Sequence, residues 1–304
     1  MIPHRNGRDL LLTAIRAVER AVNPSTDNIV VVDNGSTDDS LTALRAAHPQ
    51  VHIEASAWNL GFGRAVNRGM GCGDHPFVLI LNNDCVLTRE ALDGLLAVAE
   101  REPKIGLVGP QLRGANAVPQ RSFGMHPTVA SEMGLGGTKV PREVPRNPAI
   151  RDVETLVGAC MLASREAVDA TGGFNERFFF YFEETEWCLR LHRAGFRIVV
   201  VPSITVVHGR GESTRALRRE AQIEMLRSRL LYYRCAFSPA VATWLTLWRI
   251  LRLIVNALFL SIATLLTLGL AQSMRQRWAT YVALLGFLFS GQPRMAGLPG
   301  KEPS

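Results

Sequence analysis

The sequence predicts an α/β fold: a mixed, mostly parallel sheet of the Rossmann-like kind, followed by a C-terminal helical segment that associates with a membrane. Three observations predict it. Short β-branched runs alternate with helical patterns through the N-terminal half, polar and acidic side chains cluster where those runs end, and a long uncharged apolar stretch lies near the C-terminus. With 304 residues, 47% of them hydrophobic, the chain is long enough for one large domain and an appendage.

Taken in order, Asn28-Ile-Val-Val-Val-Asp33 is a continuous apolar run with a polar end, the pattern of a buried parallel strand. Asp38 to Ala47 reads as a helix, with Leu41 and Leu44 on one face and turn and cap chemistry from the preceding Asn-Gly-Ser-Thr. Phe77 to Asn82 is a second buried strand. Arg89 to Arg101 is a second helix that turns Leu92, Leu95, Leu96 and Val98 inward, with Thr88 as its cap. Gly114 to Asp152 is rich in Gly, Pro and Arg with little periodicity, and is expected to be a long mobile loop over the site. A compact segment from Thr155 to Val207 ends in an apolar strand at Arg197 to Pro202.

The charge divides the chain. Residues 1–214 hold 22 Lys and Arg against 24 Asp and Glu, whereas residues 215–304 hold 12 against 3, so the net charge of +7 belongs to the tail. We therefore expect a catalytic domain over residues 1–214 and a basic, apolar helical tail over residues 215–304. Charge alone suits nucleic acid or an anionic membrane. The 22 uncharged residues from Leu253 to Met274, bracketed by Arg249, Arg252, Arg275 and Arg277, point to a membrane surface and not to nucleic acid. That length is enough to cross a bilayer, but Asn256, Gln272 and basic residues on both flanks equally suit a helix lying in the plane of the membrane. A soluble helix packed on the domain is the remaining alternative. The five cysteines show no metal-type spacing and no cleavable signal peptide opens the chain, which predicts a reducing, cytoplasmic setting.

Five constellations carry chemistry. In VVVDNGSTDDS, residues 30–40, a strand delivers Asp33 to its carboxyl edge, where an open α/β sheet binds ligands; Asp33 can accept hydrogen bonds from a ribose or base, although the same residues are good turn formers. In NLGFGRAVN, residues 59–67, Gly61 and Gly63 allow close backbone approach and Arg64 can meet a phosphate, without the full dinucleotide or phosphate-loop pattern. The strand ending in Asn82-Asn83-Asp84 offers oxygen ligands for a hard divalent cation, with Asp84 direct and Asn82 reaching sugar or metal through water. The run Gly172 to Arg190 places Glu183, Glu184 and Glu186 directly after the aromatics Phe178 to Phe182 and at the start of a helix. Such a cleft can raise a carboxylate toward general-base duty; the acids can equally complement the helix dipole, and at least two of the five aromatics can be core. Finally, His208 follows a strand and can complete a metal site with Asp84.

The order of these motifs resembles the family-2 glycosyltransferases of the GT-A fold, especially bacterial rhamnosyltransferase-like members, over roughly residues 1–235. The resemblance implies a nucleotide-sugar donor held at Asp33, Asn34, Ser36, Asn59, Gly61, Arg64 and Asn82. It implies a Mn²⁺ or Mg²⁺ ion at Asp84 and His208, and a general base in the acidic group, Glu184 first with Glu183 and Glu186 as alternatives. The chain departs from the family pattern where Asn82 replaces the first acid of the metal-binding motif and where Glu184 and Glu186 replace frequent aspartates. Met1 to Gly7 also looks like only the tail of the family's first strand. The expected reaction is inverting transfer of a sugar, dTDP-rhamnose being the favoured donor, to a saccharide or polyprenyl-linked acceptor at the cytoplasmic face of the bacterial inner membrane. The competing expectations are a sugar-phosphate nucleotidyltransferase and a non-catalytic membrane-associated interaction protein.

Overall fold

A computed structural model describes residues 1–136, 140–145, 149–209, 218–267 and 272–290. Strand β1 (Ile2–His4) leads into helix α1 (Arg8–Ala21), followed by β2 (Val30–Asn34), α2 (Ser40–Ala47), β3 (His52–Ser56), α3 (Phe62–Met70), β4 (Phe77–Leu81), β5 (Cys85–Val86) and α4 (Arg89–Ala99). The chain continues through β6 (Ile105–Arg113), β7 (Phe123–Gly124), α5 (Val129–Met133), β8 (Arg151–Asp152), β9 (Thr155–Leu156), β10 (Cys160–Ser164), α6 (Arg165–Thr171), α7 (Glu183–Arg193) and β11 (Arg197–His208). Helices α8 (Arg218–Ala236), α9 (Pro239–Leu266) and α10 (Gln272–Ser290) complete it.

The apolar runs form strands because both of their faces are covered: every residue of β2 and of β10 is buried. β1, β2 and β3 pair in parallel, with His4 beside Asp33 and Asp33 beside Ala55. The second group runs β4, β10, β6, β11, β5, in which β10 is antiparallel to both neighbours and β6 is parallel to β11. Met1 joins the two groups, since its carbonyl accepts the Leu81 N–H at 3.1 Å and its ammonium donates to the Leu79 carbonyl at 2.7 Å. β1, three residues long, sits between β2 and β4. Burial there pushes the Met1 amine down to about 6. A cavity of about 360 Å³ opens beside it, lined by Met1, Val30, Phe77 and Leu79. These are amino-end residues of their strands, so the cavity lies at the edge opposite the acidic residues.

Helices pack on both faces. Leu11, Ile15, Leu44 and Leu95 fill one core, and Met161, Leu107, Trp187 and Leu191 fill the other. Thr88 caps α4 as expected, its hydroxyl accepting the Ala91 N–H at 3.2 Å.

Three expectations need correction. Residues 114–152 are not one mobile loop. Their described part holds β7, β8 and a capped α5, and Gln111 anchors it by accepting the Val144 N–H at 2.6 Å and donating to the Gln120 carbonyl at 2.9 Å. A buried amide supplies the order that periodicity does not announce. The strand expected at Arg197 to Pro202 continues to His208. Pro202, which lacks an N–H, falls in a register shift between Val201 and Thr205, after which pairing with β6 resumes. The uncharged stretch from Leu253 to Met274 is divided: α9 ends at Leu266, α10 starts at Gln272, and residues 268–271 lie outside the described set. The apolar helix itself begins at Pro239 and carries Arg249 and Arg252 within it.

Candidate active site

The carboxyl ends of β1, β2 and β4 bring the predicted donor residues to one edge. Asp33 is buried, and its carboxylate accepts the Ser36 N–H at 3.2 Å and the Ser36 hydroxyl. Ser36 in turn accepts the Asn6 N–H at 2.9 Å. Gly35 between them has φ of +74°, and a Cβ there would stand 2.7 Å from the Trp58 backbone. Both polar ends of the Asn34 amide are used within the protein, on the Gly61 carbonyl at 3.1 Å and the Leu60 N–H at 2.6 Å. Asn59 accepts the Gly61 N–H at 3.1 Å. Gly61 has φ of +88° and a Cβ there would lie 2.5 Å from the Phe179 carbonyl, so only glycine lets this loop pass beneath the aromatic run. Arg64, on α3, pairs with Glu176 at 3.6 Å.

Two further residues of this edge were not singled out in the sequence. Arg5 feels the charge of Asp33, and its Nε is buried without a hydrogen-bond partner. His4 bridges Ser40 at 3.0 Å and Asn83 at 2.9 Å, and burial lowers its pKa against the opposing pull of Asp33 and Asp38. Only their place just after a short apolar run could have marked them.

The sheet also unites Asp84 and His208, which are 124 positions apart in sequence but adjacent in space because β5 pairs with the end of β11, His208 opposite Cys85. Asp84 Oδ1 lies 3.5 Å from His208 Nε2, and both side chains are largely buried. Cys85 is the third potential ligand of the group; burial raises its thiol well above the ordinary value, and the thiol donates to the Ala159 carbonyl at 3.3 Å. On the far side of the ring His208 Nδ1 meets Gln120 Oε1 at 3.0 Å, while Gln120 Nε2 donates to the His208 carbonyl at 3.0 Å. A carboxylate and an imidazole oriented by an outer amide form a donor set that fits a divalent cation. Asn82 stands at the end of β4, its N–H bonded to the Ala159 carbonyl at 2.9 Å.

The acidic group opens α7 through strained backbone. Tyr181 and Phe182 have φ of +71° and +67°, a left-handed conformation that costs a bulky residue about 1–3 kcal/mol each. Phe178 and Phe179 are core, whereas Phe180, Tyr181 and Phe182 remain partly exposed. Burial raises the Glu183 carboxyl well above its ordinary value, helped by the charges of Glu184 and Glu224. Burial also raises Glu184, opposed by the N–H groups at the start of α7. Glu184 faces the turn before β10, where a Cβ on Gly158 would meet its Cβ at 3.9 Å and the Phe62 ring at 3.8 Å. Ala159 of that turn accepts the Asn82 N–H, so Glu184 and the residues beside Asp84 adjoin the same turn. Glu186 points elsewhere: Arg190 grips it at 2.9 Å and also holds the Gly173 carbonyl at 2.6 Å, which fixes the turn before the aromatic run.

Helix α8, beyond the boundary expected at Thr214, packs on this region. Tyr232 and Tyr233 share a core cluster with Phe178, Ser228 donates to the Phe180 carbonyl at 2.7 Å, and Glu224 is buried and paired with Arg227 at 3.1 Å. The basic composition of the tail concealed this role.

Comparison with known proteins agrees with this geometry. The model of glycosyl transferase family 2 matches residues 1–172. The N-acetylglucosaminyl-diphospho-decaprenol L-rhamnosyltransferase of Mycobacterium tuberculosis is 33% identical over 219 residues, covering 65% of this chain and 70% of its own. Among solved structures, the mannosyltransferase PcManGT from Pyrobaculum calidifontis in complex with GDP-Man and Mn²⁺ superposes with a TM-score of 0.56 at 15% identity, over 96% of this chain and 86% of that one. TarS residues 1–349 of S. aureus in complex with UDP-GlcNAc superposes with a TM-score of 0.52 at 17% identity, over 81% and 69%. The chain belongs to glycosyl transferase family 2, has the GT-A fold, and is rhamnosyltransferase-like.

Proposed function

We propose that this glycosyltransferase moves a sugar, dTDP-rhamnose being the first donor to test, onto a hydroxyl of a saccharide carried on a polyprenyl diphosphate, with inversion at the anomeric carbon. The observation that carries the reading is the turn Gly158–Ala159, which meets Asn82, next to the Asp84 and His208 pair, through a 2.9 Å backbone hydrogen bond and meets Glu184 on its other side. Asp33, Ser36 and Arg5 receive the nucleotide. Asp84 and His208 hold Mn²⁺ or Mg²⁺, whose chemistry there is to neutralise the departing diphosphate. The Glu183 and Glu184 carboxyls share a proton: the more deeply buried Glu183 keeps it, and Glu184 takes the acceptor's proton as the acceptor oxygen attacks. Glu186 is bound to Arg190 and serves as a positioning residue for the turn at Gly173.

The acceptor class draws on the name of the mycobacterial relative and on the tail. Helix α9 is long and apolar enough to cross a membrane, with mean hydropathy 1.8. It also exposes Trp244, Leu247, Leu251, Val255, Leu258 and Ile262 along one face. Those spacings of three and four make a single stripe, while Ala242, Leu245, Leu253 and Ala257 face inward. We read the helix as lying on the cytoplasmic surface of the bacterial inner membrane, which brings the catalytic domain to a lipid-borne acceptor.

The test is thermal stability of the full chain against UDP-, dTDP- and GDP-sugars, each with and without Mn²⁺ or Mg²⁺. A donor at 100 times its Kd adds about 2.7 kcal/mol. Stabilisation by one nucleotide class that requires metal is expected; the same shift without metal would remove Asp84 and His208 from the mechanism.

A further inference from the structure

Glu132, on α5, is buried, and three arginines from the tail converge on it. Arg229 of α8 donates to its carboxylate at 3.1 Å, Arg249 of α9 donates at 3.2 Å, and Arg252 donates to its backbone carbonyl at 3.3 Å. Tyr233 adds its hydroxyl to the same carboxylate. Among the described residues no other carboxylate lies within salt-bridge distance of these three guanidinium groups, so one negative charge faces three positive ones. The surplus is not fully buried: the side chains of Arg229 and Arg249 keep 29% and 20% of their exposure. A guanidinium has five N–H donors in a planar fork, so a second anion can be held beside the first.

The cluster lies between two features already described. On one side the Arg229 guanidinium sits 5.3 Å from the centre of the Phe182 ring, and Phe182 immediately precedes Glu183 and Glu184. On the other side α9 carries Arg249 and Arg252 and turns Leu251, Val255 and Leu258 outward. Phe182 at the start of the acidic helix, the guanidiniums and the helix bearing the apolar stripe are thus linked in that order by contact. An amphiphile built of a sugar, a diphosphate and a hydrocarbon chain has that same order.

We propose that Arg229, Arg249 and Arg252 form a binding site for the diphosphate of a lipid-linked acceptor, a site distinct from the donor site at Asp84 and His208. The inference rests on the acceptor class proposed above and names the groups that recognise it. Glu132 is the anchor that holds the guanidiniums apart and in place, and the diphosphate supplies the negative charge the cluster lacks.

The test is titration calorimetry of the full chain in neutral detergent, without divalent metal so that the donor site does not compete, using geranyl diphosphate, inorganic pyrophosphate, geraniol and phosphatidylglycerol as probes. Geranyl diphosphate binds, pyrophosphate competes with it, and geraniol does not bind. Arg249→Gln and Arg252→Gln each weaken geranyl diphosphate by about tenfold or more, the loss of one charge-assisted hydrogen bond, while Arg252→Lys retains most of the affinity. Both Gln variants keep the nucleotide-sugar stabilisation of the parent chain, which shows that they fold. Should Arg249→Gln unfold because Glu132 loses a partner, Arg252→Gln carries the test, since Arg252 meets only the backbone of Glu132. No binding in the parent chain, unchanged affinity in the Gln variants, or phosphatidylglycerol binding as tightly as the diphosphate overturns the proposal. If arginine-dependent diphosphate binding is found but no nucleotide-sugar stabilises the chain, the transferase mechanism fails and this site stands; the converse result removes the site and leaves the mechanism.

Discussion

Gln120→Leu should weaken metal binding without touching a metal ligand. The Gln120 amide donates through Nε2 to the His208 carbonyl at 3.0 Å, which fixes which way the amide faces. Its Oε1 must then face His208 Nδ1, also at 3.0 Å, and an amide oxygen only accepts. The proton of the neutral imidazole is therefore on Nδ1, and Nε2, 3.5 Å from Asp84 Oδ1, is the nitrogen on the Asp84 side of the ring. Leucine fills similar volume but removes the acceptor, so the ring is free to turn or to carry its proton on Nε2. Loss of such an outer partner costs about 10- to 100-fold in metal affinity, or about 1.4–2.7 kcal/mol. Free Mn²⁺ measured by electron paramagnetic resonance in a titration of parent chain, Gln120→Leu and Asp84→Ala gives the comparison directly. If Gln120→Leu binds Mn²⁺ as the parent does while Asp84→Ala does not, His208 is not a ligand through Nε2 and the reasoning is refuted.

Five other outcomes are expected. Glu184→Gln lowers turnover about 10²- to 10⁴-fold with donor binding kept, whereas Glu183→Gln raises stability at neutral pH: its carboxyl is raised, so the stability held below about pH 4.5 is lost as pH rises, and glutamine removes that loss. Urea unfolding at pH 5 and pH 8 checks the second half, and an equal difference at both would contradict it. Gly61→Ala, at φ of +88°, should lose about 1–2 kcal/mol or more and shift the Asn59 loop; full stability with full donor binding would show that the loop yields. The His126 imidazole is pushed down from 6.5 to about 4 by burial, so between those values the unfolded chain holds a proton that the folded chain does not. Stability therefore falls as pH drops from 6.5 to 4, by about 1–2 kcal/mol after solvent screening, and His126→Gln should flatten that slope. Leu258→Glu with Ile262→Glu should reduce cosedimentation with anionic vesicles while donor binding stays intact; unchanged cosedimentation would deny α9 a lipid-facing role.

The elements that were legible in the sequence share a cause. The run ending in Asp33 is buried on both faces and the run ending in Asn82 has no exposed residue in its strand, so their composition is decided by the fold and can be read back from it. Asp84 and His208 were legible as a pair only because each follows an apolar run and a family resemblance set them side by side; the β5 and β11 pairing that joins them leaves no mark on either segment. Gln120, Glu132 and Glu224 were illegible for a different reason. Gln120 and Glu132 are held by partners distant in sequence, His208 and Arg229, and Glu224, paired with the nearby Arg227, is buried against α7, so no local pattern distinguishes any of them from an exposed residue. Conversely, Glu186 looks like its neighbours in the acidic run, and only the structure shows that Arg190, one turn later, occupies it.

The arginines inside α9 also bear on how the tail meets the membrane. Arg249 and Arg252 are tied to Glu132, so the helix is fixed to the catalytic domain up to that point. From Arg252 to Leu266 a helix rising about 1.5 Å per residue extends roughly 20 Å, short of the roughly 30 Å of a hydrocarbon core. A spanning α9 would have to pull both arginines away from Glu132, leaving a buried carboxylate with fewer partners, and draw two guanidiniums into lipid at a cost of about 2.5–3.5 kcal/mol each. The outward stripe already begins at Trp244, before the arginines, and α10 packs back along α9 through Trp278 on Ser261 at 2.8 Å. On the proposed reading, α9, apolar outside and held inside at Ala242, Leu245, Leu253 and Ala257, lies along a bilayer, with the lipid-facing stripe outermost and the arginines turned toward the catalytic domain.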